Sequence, residues 1–261
     1  MCKCSTSRLD QIQFVTTSVD RMRSVVLAAC QGERFIGEQL ASIAAQLAPD
    51  DEIVVCDDAS SDATVNVIRQ LRDPRIRLFI NPVRLGYIRN FERAVGIAKG
   101  DLIFFSDQDD VWLPNKVSAM DAALGQKPCV ASDAIVVDER LSVMHESFFA
   151  WRGTRSFSPL EIFMKPAVIG ATLACRRSYL RTLLPFPKGV PHDFWLTLNA
   201  AWDDSLAIVR EPLILYRRHD ASLSPSGTTR RRNWQTIFAE RARIASALVL
   251  RRLPPRGNPK A

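Results

Sequence analysis

The chain has 261 residues, of which 47% are hydrophobic and 24% charged, enough to bury one large core and too apolar for a disordered chain. No run approaches the roughly 18 consecutive apolar residues of a membrane-spanning helix, and the opening MCKCSTSRLDQIQFVTTSVDRMR lacks the apolar centre of a secretory signal. The net charge of +7 is uneven: residues 226–261 carry nine Arg or Lys against one Glu, so residues 1–225 sum to −1 and a broad nucleic-acid-binding face is excluded.

Residues 1–22 read as a loosely ordered leader. Ser24 to Cys30 is a buried strand, Gln31-Gly32-Glu33 a turn, and residues 34–47 a helix with Phe35, Ile36, Leu40, Ile43, Ala44 and Leu47 along one stripe. Glu52 to Cys56 is a second strand, ending in Asp57-Asp58-Ala-Ser-Ser-Asp62, and a helix follows over 63–72. A short strand over Ile76–Ile80, a turn at Asn81-Pro82 and an amphipathic helix over 87–98 lead to the apolar run Leu102–Phe105. Strands alternating with helices predict an α/β fold, a mostly parallel sheet with helices on both faces. Pro114 is placed for the first turn of a helix over 114–124, and 128–137 reads as a strand. Residues 141–165 show no period, 167–174 look buried, and Arg176–Leu184 reads as a short helix. His192-Asp193-Phe194-Trp195 opens another helix, and two strand-like runs frame Glu211-Pro212. Six cysteines, at 2, 4, 30, 56, 129 and 175, form no C-x-x-C pair, so neither a zinc site nor a disulfide framework is indicated and a reducing, cytoplasmic setting is expected.

Two strand ends carry acids: Asp57-Asp58, and Asp107, Asp109 and Asp110. In an open α/β sheet both face the crevice where ligands bind. Like charges this close repel unless a cation neutralises them, and hard oxygen ligands suit Mg²⁺ or Mn²⁺ shared with phosphates. A solvated acidic turn is the simpler account of any one D-x-D. A G-x-G-x-x-G fingerprint and a P-loop are absent. An EF-hand fails for want of a glycine bend over Val111–Asn115 and because Ser118 stands where a bidentate Glu belongs.

Taken in order, SVVLAACQGERFIGEQL (24–40), VVCDDASSDAT (54–64), NPVRLGYIRNFERAV (81–95), GDLIFFSDQDDVWLPNK (100–116), PHDFWL (191–196) and EPLILYRRH (211–219) resemble glycosyltransferase family 2, with its GT-A fold. The wording S-D-Q-D-D-x-W and P-H-D-x-W is most similar to a bacterial rhamnosyltransferase-like branch that builds cell-surface polysaccharides. The resemblance implies a domain over 23–225, with a nucleotide-sugar half to about 125 and an acceptor half from 126. It places Asp58 on the base with Asp57 beside it, Ala28, Cys30, Glu33, Arg84, Arg89 and Gln108 on the donor side, and Asp107 on ribose or donor sugar. It assigns the metal to Asp109, with Asp107 and His219, the catalytic base to Asp193, and the acceptor side to His192 and Trp195. Ala29-Cys30-Gln31-Gly32 departs from the family's commoner T-Y-N-G and loses a stacking Tyr, and Asp220-Ala221-Ser222 replaces a Gly-then-Asn pattern.

The resemblance implies inverting, metal-assisted transfer from a nucleotide diphosphate sugar, rhamnose on dTDP first and UDP-hexoses behind it, to a hydroxyl of a glycan or polyprenyl-linked acceptor. Helix capping is the competing role for Asp58 and Asp193. A sugar-phosphate nucleotidyltransferase would want a glycine-rich basic loop where Cys30-Gln-Gly-Glu33 stands, and a non-catalytic nucleotide- or nucleic-acid-binding scaffold would not need Asp109 and Asp193 together. Residues 226–261 form a basic amphipathic tail, which either lies on an anionic membrane surface through residues 230–253 or packs on the domain; the sequence accommodates both. The setting expected is the cytoplasm, with a peripheral position at the inner face of the plasma membrane under the first alternative.

Overall fold

A computed structural model describes residues 21–219 and 234–252. The first half is a parallel α/β unit: β1 (Arg23–Ala29), α1 (Ile36–Ala44), β2 (Glu52–Asp57), α2 (Thr64–Gln70), β3 (Ile76–Ile80), α3 (Tyr87–Ile97) and β4 (Leu102–Asp107). All six residues of β2 are buried, as befits a parallel strand covered on both faces. The strand order is β3-β2-β1-β4. The chain first winds outward from β1, then returns to lay β4 on its other side, and such a switch point opens a crevice at the carboxyl ends of the strands. Across it Ala28 pairs with Asp107, while Ala29 pairs with Asp57, so both predicted acidic ends flank β1.

The second half is mixed. It holds β5 (Val111–Trp112), α4 (Lys116–Leu124), β6 (Cys129–Val137), β7 (Val143–His145), α5 (Phe148–Trp151), α6 (Pro159–Met164), a 3-10 turn (Gly170–Thr172), β8 (Leu173–Arg176), α7 (Arg177–Arg181), α8 (His192–Trp202) and β9 (Leu206–Arg217). Strand β8 runs antiparallel between β4 and β6, while β9 is parallel to β6.

Three local expectations are corrected. The helix predicted from Pro114 begins at Lys116, because Val111–Trp112 pairs with β9 and Asn115 takes a left-handed backbone, φ 73°, which Asn tolerates better than most residues. The unperiodic stretch 141–165 contains β7, α5 and α6. Its helices have four and six residues, started by Ser147 and Ser158 side-chain caps, and are too short to display a period. The two runs around Glu211-Pro212 are one strand: β9 is continuous and bulges there, its register against β6 slipping between Ser132 and Asp133, which is where a proline fits in a sheet.

Of the basic tail, helix α9 (Trp234–Arg252) is described, while 226–233 and 253–261 lie outside the described residues, as do residues 1–20 of the predicted leader. Ile244 and Leu248 of α9 are buried in a cluster with Phe186, Phe194 and Leu198. Arg251 and Arg252 both pair with Asp203, at 3.1 and 2.9 Å. Val249 and Leu250 stay exposed. The packed alternative thus holds for this face of α9.

The same cluster encloses His192. Its ring lies 4.3 Å from that of Phe91, stacks on Phe105 at 5.4 Å, and meets Phe186 and Tyr87 edges at 6.1 Å. Neither ring nitrogen has a hydrogen-bond partner among the described residues. Trp195 is equally buried and its indole N–H donates to the Leu183 carbonyl at 3.0 Å. Both had been expected on the acceptor side; instead they are interior, because α8 is buried along most of its length, its polar residues His192, Thr197 and Asn199 included. Burial pushes the His192 imidazole down to about 3. The unfolded chain takes up this proton near pH 6.5 and the folded chain does not, so the contribution is complete above that pH and is lost as pH falls toward 3, at roughly 1.4 kcal/mol per unit. His192→Leu is expected to flatten urea-measured stability between about pH 6 and pH 4 relative to wild type; an unchanged slope would show the ring to be hydrated.

Candidate active site

The donor side is built from loops stitched to one another. After β1, the Cys30 N–H donates to Gln108 Oε1 at 2.7 Å and Gln108 Nε2 returns a bond to the Cys30 carbonyl at 2.9 Å. The Gln108 amide fills the space a Cβ at residue 32 would take, so a side chain there would displace that amide from Cys30. Glu33 accepts from the Ala63 N–H at 2.8 Å, tying this loop to the one after β2. Asp57 is fully buried and accepts from the N–H and hydroxyl of Ser60.

Asp58 neither caps the next helix nor stands open. One oxygen accepts from Asn81 Nδ2 at 2.8 Å and the Leu85 N–H at 2.7 Å, the other from the Gly86 N–H at 2.8 Å. It holds the loop 81–86 in place, with Gly86 supplying φ 81°. That loop carries Arg84, which is exposed and whose charge reaches the Cys30 thiol. Arg89 is occupied by an ion pair with Glu92 at 2.7 Å, and Glu92 also accepts from the Phe186 N–H.

At the end of β4 the acids converge. Burial pushes the Asp107 carboxyl up to about 7, and the nearby charges of Asp109 and Asp193 push the same way. Asp193 reaches this cluster from the first turn of α8, one oxygen accepting from the Phe194 N–H at 2.7 Å. Asp109 Oδ2 lies 2.8 Å from His219 Nε2, and the His219 ring packs on Phe35 at 5.1 Å. The main chain of β4 is fixed by Gln39, whose amide donates to Ser106 Oγ at 2.7 Å and to the Asp107 carbonyl at 3.0 Å.

Three residues in this frame were missed by the sequence reading: Arg217, Lys116 and Gln39. Arg217 is 4% exposed. Its backbone N–H donates to Asp110 Oδ1 (3.0 Å), Nε to the Asp109 carbonyl (2.7 Å), Nη1 to the Glu139 carbonyl (2.7 Å) and Nη2 to Glu38 (2.5 Å). Its guanidinium also covers Phe35 at 4.6 Å. An Arg two positions before a candidate ligand at a strand end shares its side of the strand; that spacing was the available signal. Asp110 is fully buried, and burial together with Asp109 and Asp107 pushes its carboxyl well above the usual range, against the pull of the Arg217 N–H and of Lys116.

Among the described residues, no group of three or more His, Cys, Asp or Glu stands ready to hold a metal by itself. What stands ready is a carboxylate and an imidazole in contact, with a second carboxyl driven toward its neutral form by burial and, after that, by its acidic neighbours. Such a donor set fits Mg²⁺ or Mn²⁺ that takes its remaining ligands from substrate phosphates and water.

Comparison with known proteins agrees with this architecture. The family model for glycosyl transferase family 2 matches residues 24–184. The dTDP-rhamnosyl transferase RfbG of Shigella flexneri is 30% identical over 221 residues, 74% of this chain and 72% of its own. WfgD of Escherichia coli, a UDP-Glc:alpha-D-GlcNAc-diphosphoundecaprenol beta-1,3-glucosyltransferase, is 24% identical over 84% of this chain and 86% of its own. In structure, the chain is similar to Staphylococcus aureus TarS bound to UDP-GlcNAc (TM-score 0.69, 16% identity, 89% of this chain and 68% of that one). It is also similar to glucosyl-3-phosphoglycerate synthase from Mycobacterium tuberculosis in complex with Mn²⁺, UDP and glucosyl-3-phosphoglycerate (TM-score 0.57, 23% identity, 91% and 82%). Both neighbours are GT-A glycosyltransferases. With the family match spanning well over half of its length, this chain belongs to glycosyl transferase family 2 and is a glycosyltransferase of the GT-A fold.

Proposed function

We propose that the protein transfers a sugar, with inversion, from a nucleotide diphosphate donor to a hydroxyl of a cell-surface or lipid-linked glycan precursor, rhamnose from dTDP-rhamnose being the donor favoured. What supports this reading most is that Asp109 and Asp193, acids from two halves of the chain, both lie near enough to Asp107 for their charges to act on it. The donor choice rests on the likeness to RfbG, and the lipid-linked acceptor on the name of WfgD.

In this reading the loops around Cys30, Gln108 and residues 81–86 receive the nucleotide, with Arg84 available to its phosphates. Asp109 and His219, with Asp107 beside them, hold Mg²⁺ or Mn²⁺. Such an ion, when bound, offsets the charge that grows on the leaving diphosphate. Asp193 stands across the anomeric carbon and takes the acceptor proton as its oxygen attacks. One base and no enzyme nucleophile give a single displacement through an oxocarbenium-like transition state, comparable to that of glycoside hydrolysis. Positioning the two substrates in line contributes further.

No helix among the described residues is long and apolar enough to cross a membrane. A lipid-linked acceptor would bring the protein to the inner face of the plasma membrane, with the exposed Val249 and Leu250 and the basic residues of 230–253 as the contact. Flotation with anionic liposomes tests this: removal of residues 226–261 is expected to abolish co-flotation, and equal flotation of both forms would refute the contact.

Asp193→Asn is expected to lower turnover by about 10²–10⁴-fold while isothermal titration shows UDP or dTDP binding retained. Lost nucleotide affinity with surviving turnover would remove Asp193 from the role of base. Nucleotide with Mn²⁺ is expected to raise the melting temperature more than nucleotide alone. Asp109→Asn and His219→Ala are each expected to abolish that difference, and its persistence in both variants would sink the metal assignment.

A further inference from the structure

Lys116, the first residue of α4, is a lysine with no solvent exposure, and nothing assigned so far uses it. Its ammonium donates to the Ala171 carbonyl at 2.9 Å and sits 4.9 Å from the centre of the Trp112 ring. Burial pulls the Lys116 amine down to about 7 against the opposing charge of Asp110, which is buried, forms no ion pair with Lys116 among the described residues and has one oxygen without a hydrogen-bond partner among them. Burying a lysine is costly unless several groups compensate it. Here the compensation comes from two different parts of the site.

On one side is the turn of acids. Asp110 is anchored by the Arg217 N–H, and the adjoining Asp109 contacts His219. On the other side is the 3-10 turn Gly170–Thr172, to which Ala171 belongs, closed by the Thr172 N–H and hydroxyl on the Ile169 carbonyl at 3.0 and 2.8 Å. That turn lies directly under the start of α8. A Cβ on Gly170 would stand 2.7 Å from His192 Nε2 and 3.8 Å from Asp193 Cβ. The histidine cannot retreat, since Phe91, Phe105 and Phe186 enclose it. A run of buried groups therefore leads from Lys116 through Ala171 and Gly170 to His192 and Asp193, and Asp110 is joined to it by charge alone.

We propose that Lys116 is a positioning residue that fixes the spacing between the acids of the donor side and Asp193, so that binding of nucleotide and cation at Asp107 and Asp109 is felt at the start of α8. The inference rests on the function proposed above and goes beyond it, assigning no chemistry to Lys116 itself. A purely stabilising lysine would affect folding alone. A positioning lysine also affects turnover without affecting donor affinity, because a misplacement of about 1 Å can cost on the order of 10² in rate.

The test compares full-length wild type with Lys116→Met/Asp110→Asn, which removes both buried charges and nearly keeps the volume. Amide hydrogen exchange is followed with Mn²⁺ and UDP, dTDP or GDP. In wild type, nucleotide is expected to slow exchange over 169–173 and 192–196 as well as over 81–86. In the double variant the slowing over 81–86 should remain, with nucleotide Kd within about threefold, while that over 169–173 and 192–196 is lost. For whichever nucleotide sugar wild type hydrolyses, kcat should fall about 10- to 100-fold with KM little changed. Slowing at α8 that persists in the variant, or is missing in wild type, overturns the inference, as does an unchanged kcat. If none of the three nucleotides binds wild type with Mn²⁺, the functional reading fails, and this inference with it. Should the double variant not fold, Gly170→Ala presses the same turn from the α8 side: a lowered kcat at unchanged donor KM supports the path, and an unchanged kcat overturns it.

Discussion

The guanidinium of Arg217 joins parts of the molecule that the chain keeps far apart. It reaches the carbonyls of Asp109 and Glu139 and the carboxylate of Glu38, while its own backbone holds Asp110. One planar cation with donors in a fixed fork suits this task, where a lysine would offer a single point of charge. Because β9 ends at Arg217, the same contact decides where His219 falls, two residues on and beside Asp109. The site is assembled when the last strand is tied to the turn after β4, and its contacts are long-range ones that no local propensity encodes.

Charge imbalance is the second theme. Burial pushes Asp107 up to about 7, and the charges of Asp109 and Asp193 add to it. Arg217 donates to the Asp109 carbonyl and, through its backbone N–H, to Asp110, while Lys116 donates to the Ala171 carbonyl. Their positive charge steadies the turn without filling the place of a cation, an arrangement suited to a site that is completed by its ligand. Asp58 and Gln108 show the same economy: each is used up within the protein, organising loops that can then present backbone groups and Arg84.

How much of this was legible in the sequence follows from the range of the forces involved. Strands β1 to β4 and their helices were placed to within a few residues, because apolar runs and helical stripes are local signals. The acidic ends of β2 and β4 were recognisable because carboxylates at strand ends have a stated destination in this sheet type. Asp58 was visible as a candidate but not in its actual bonding, since its partners at 81, 85 and 86 belong to a distant loop. His192 and Trp195 were misplaced because nearness in sequence to Asp193 says nothing about which way a helix rolls. Arg217 and Lys116 drew no reading from the sequence; burial, which gives them meaning, is a property of the folded chain.

The bulge at Glu211-Pro212 has a genetic corollary. Val209 stands opposite Ser132 but Leu215 opposite Ile135, so β9 spends six positions where β6 spends three. The surplus is odd, and in a strand an odd offset exchanges one face for the other. Loss or gain of a single codon within this stretch would turn Arg217 and His219 away from the crevice while leaving every residue type intact. The number of residues between Val209 and His219 is therefore under as tight a constraint as their identities, and indels there should be harder to accommodate than many substitutions.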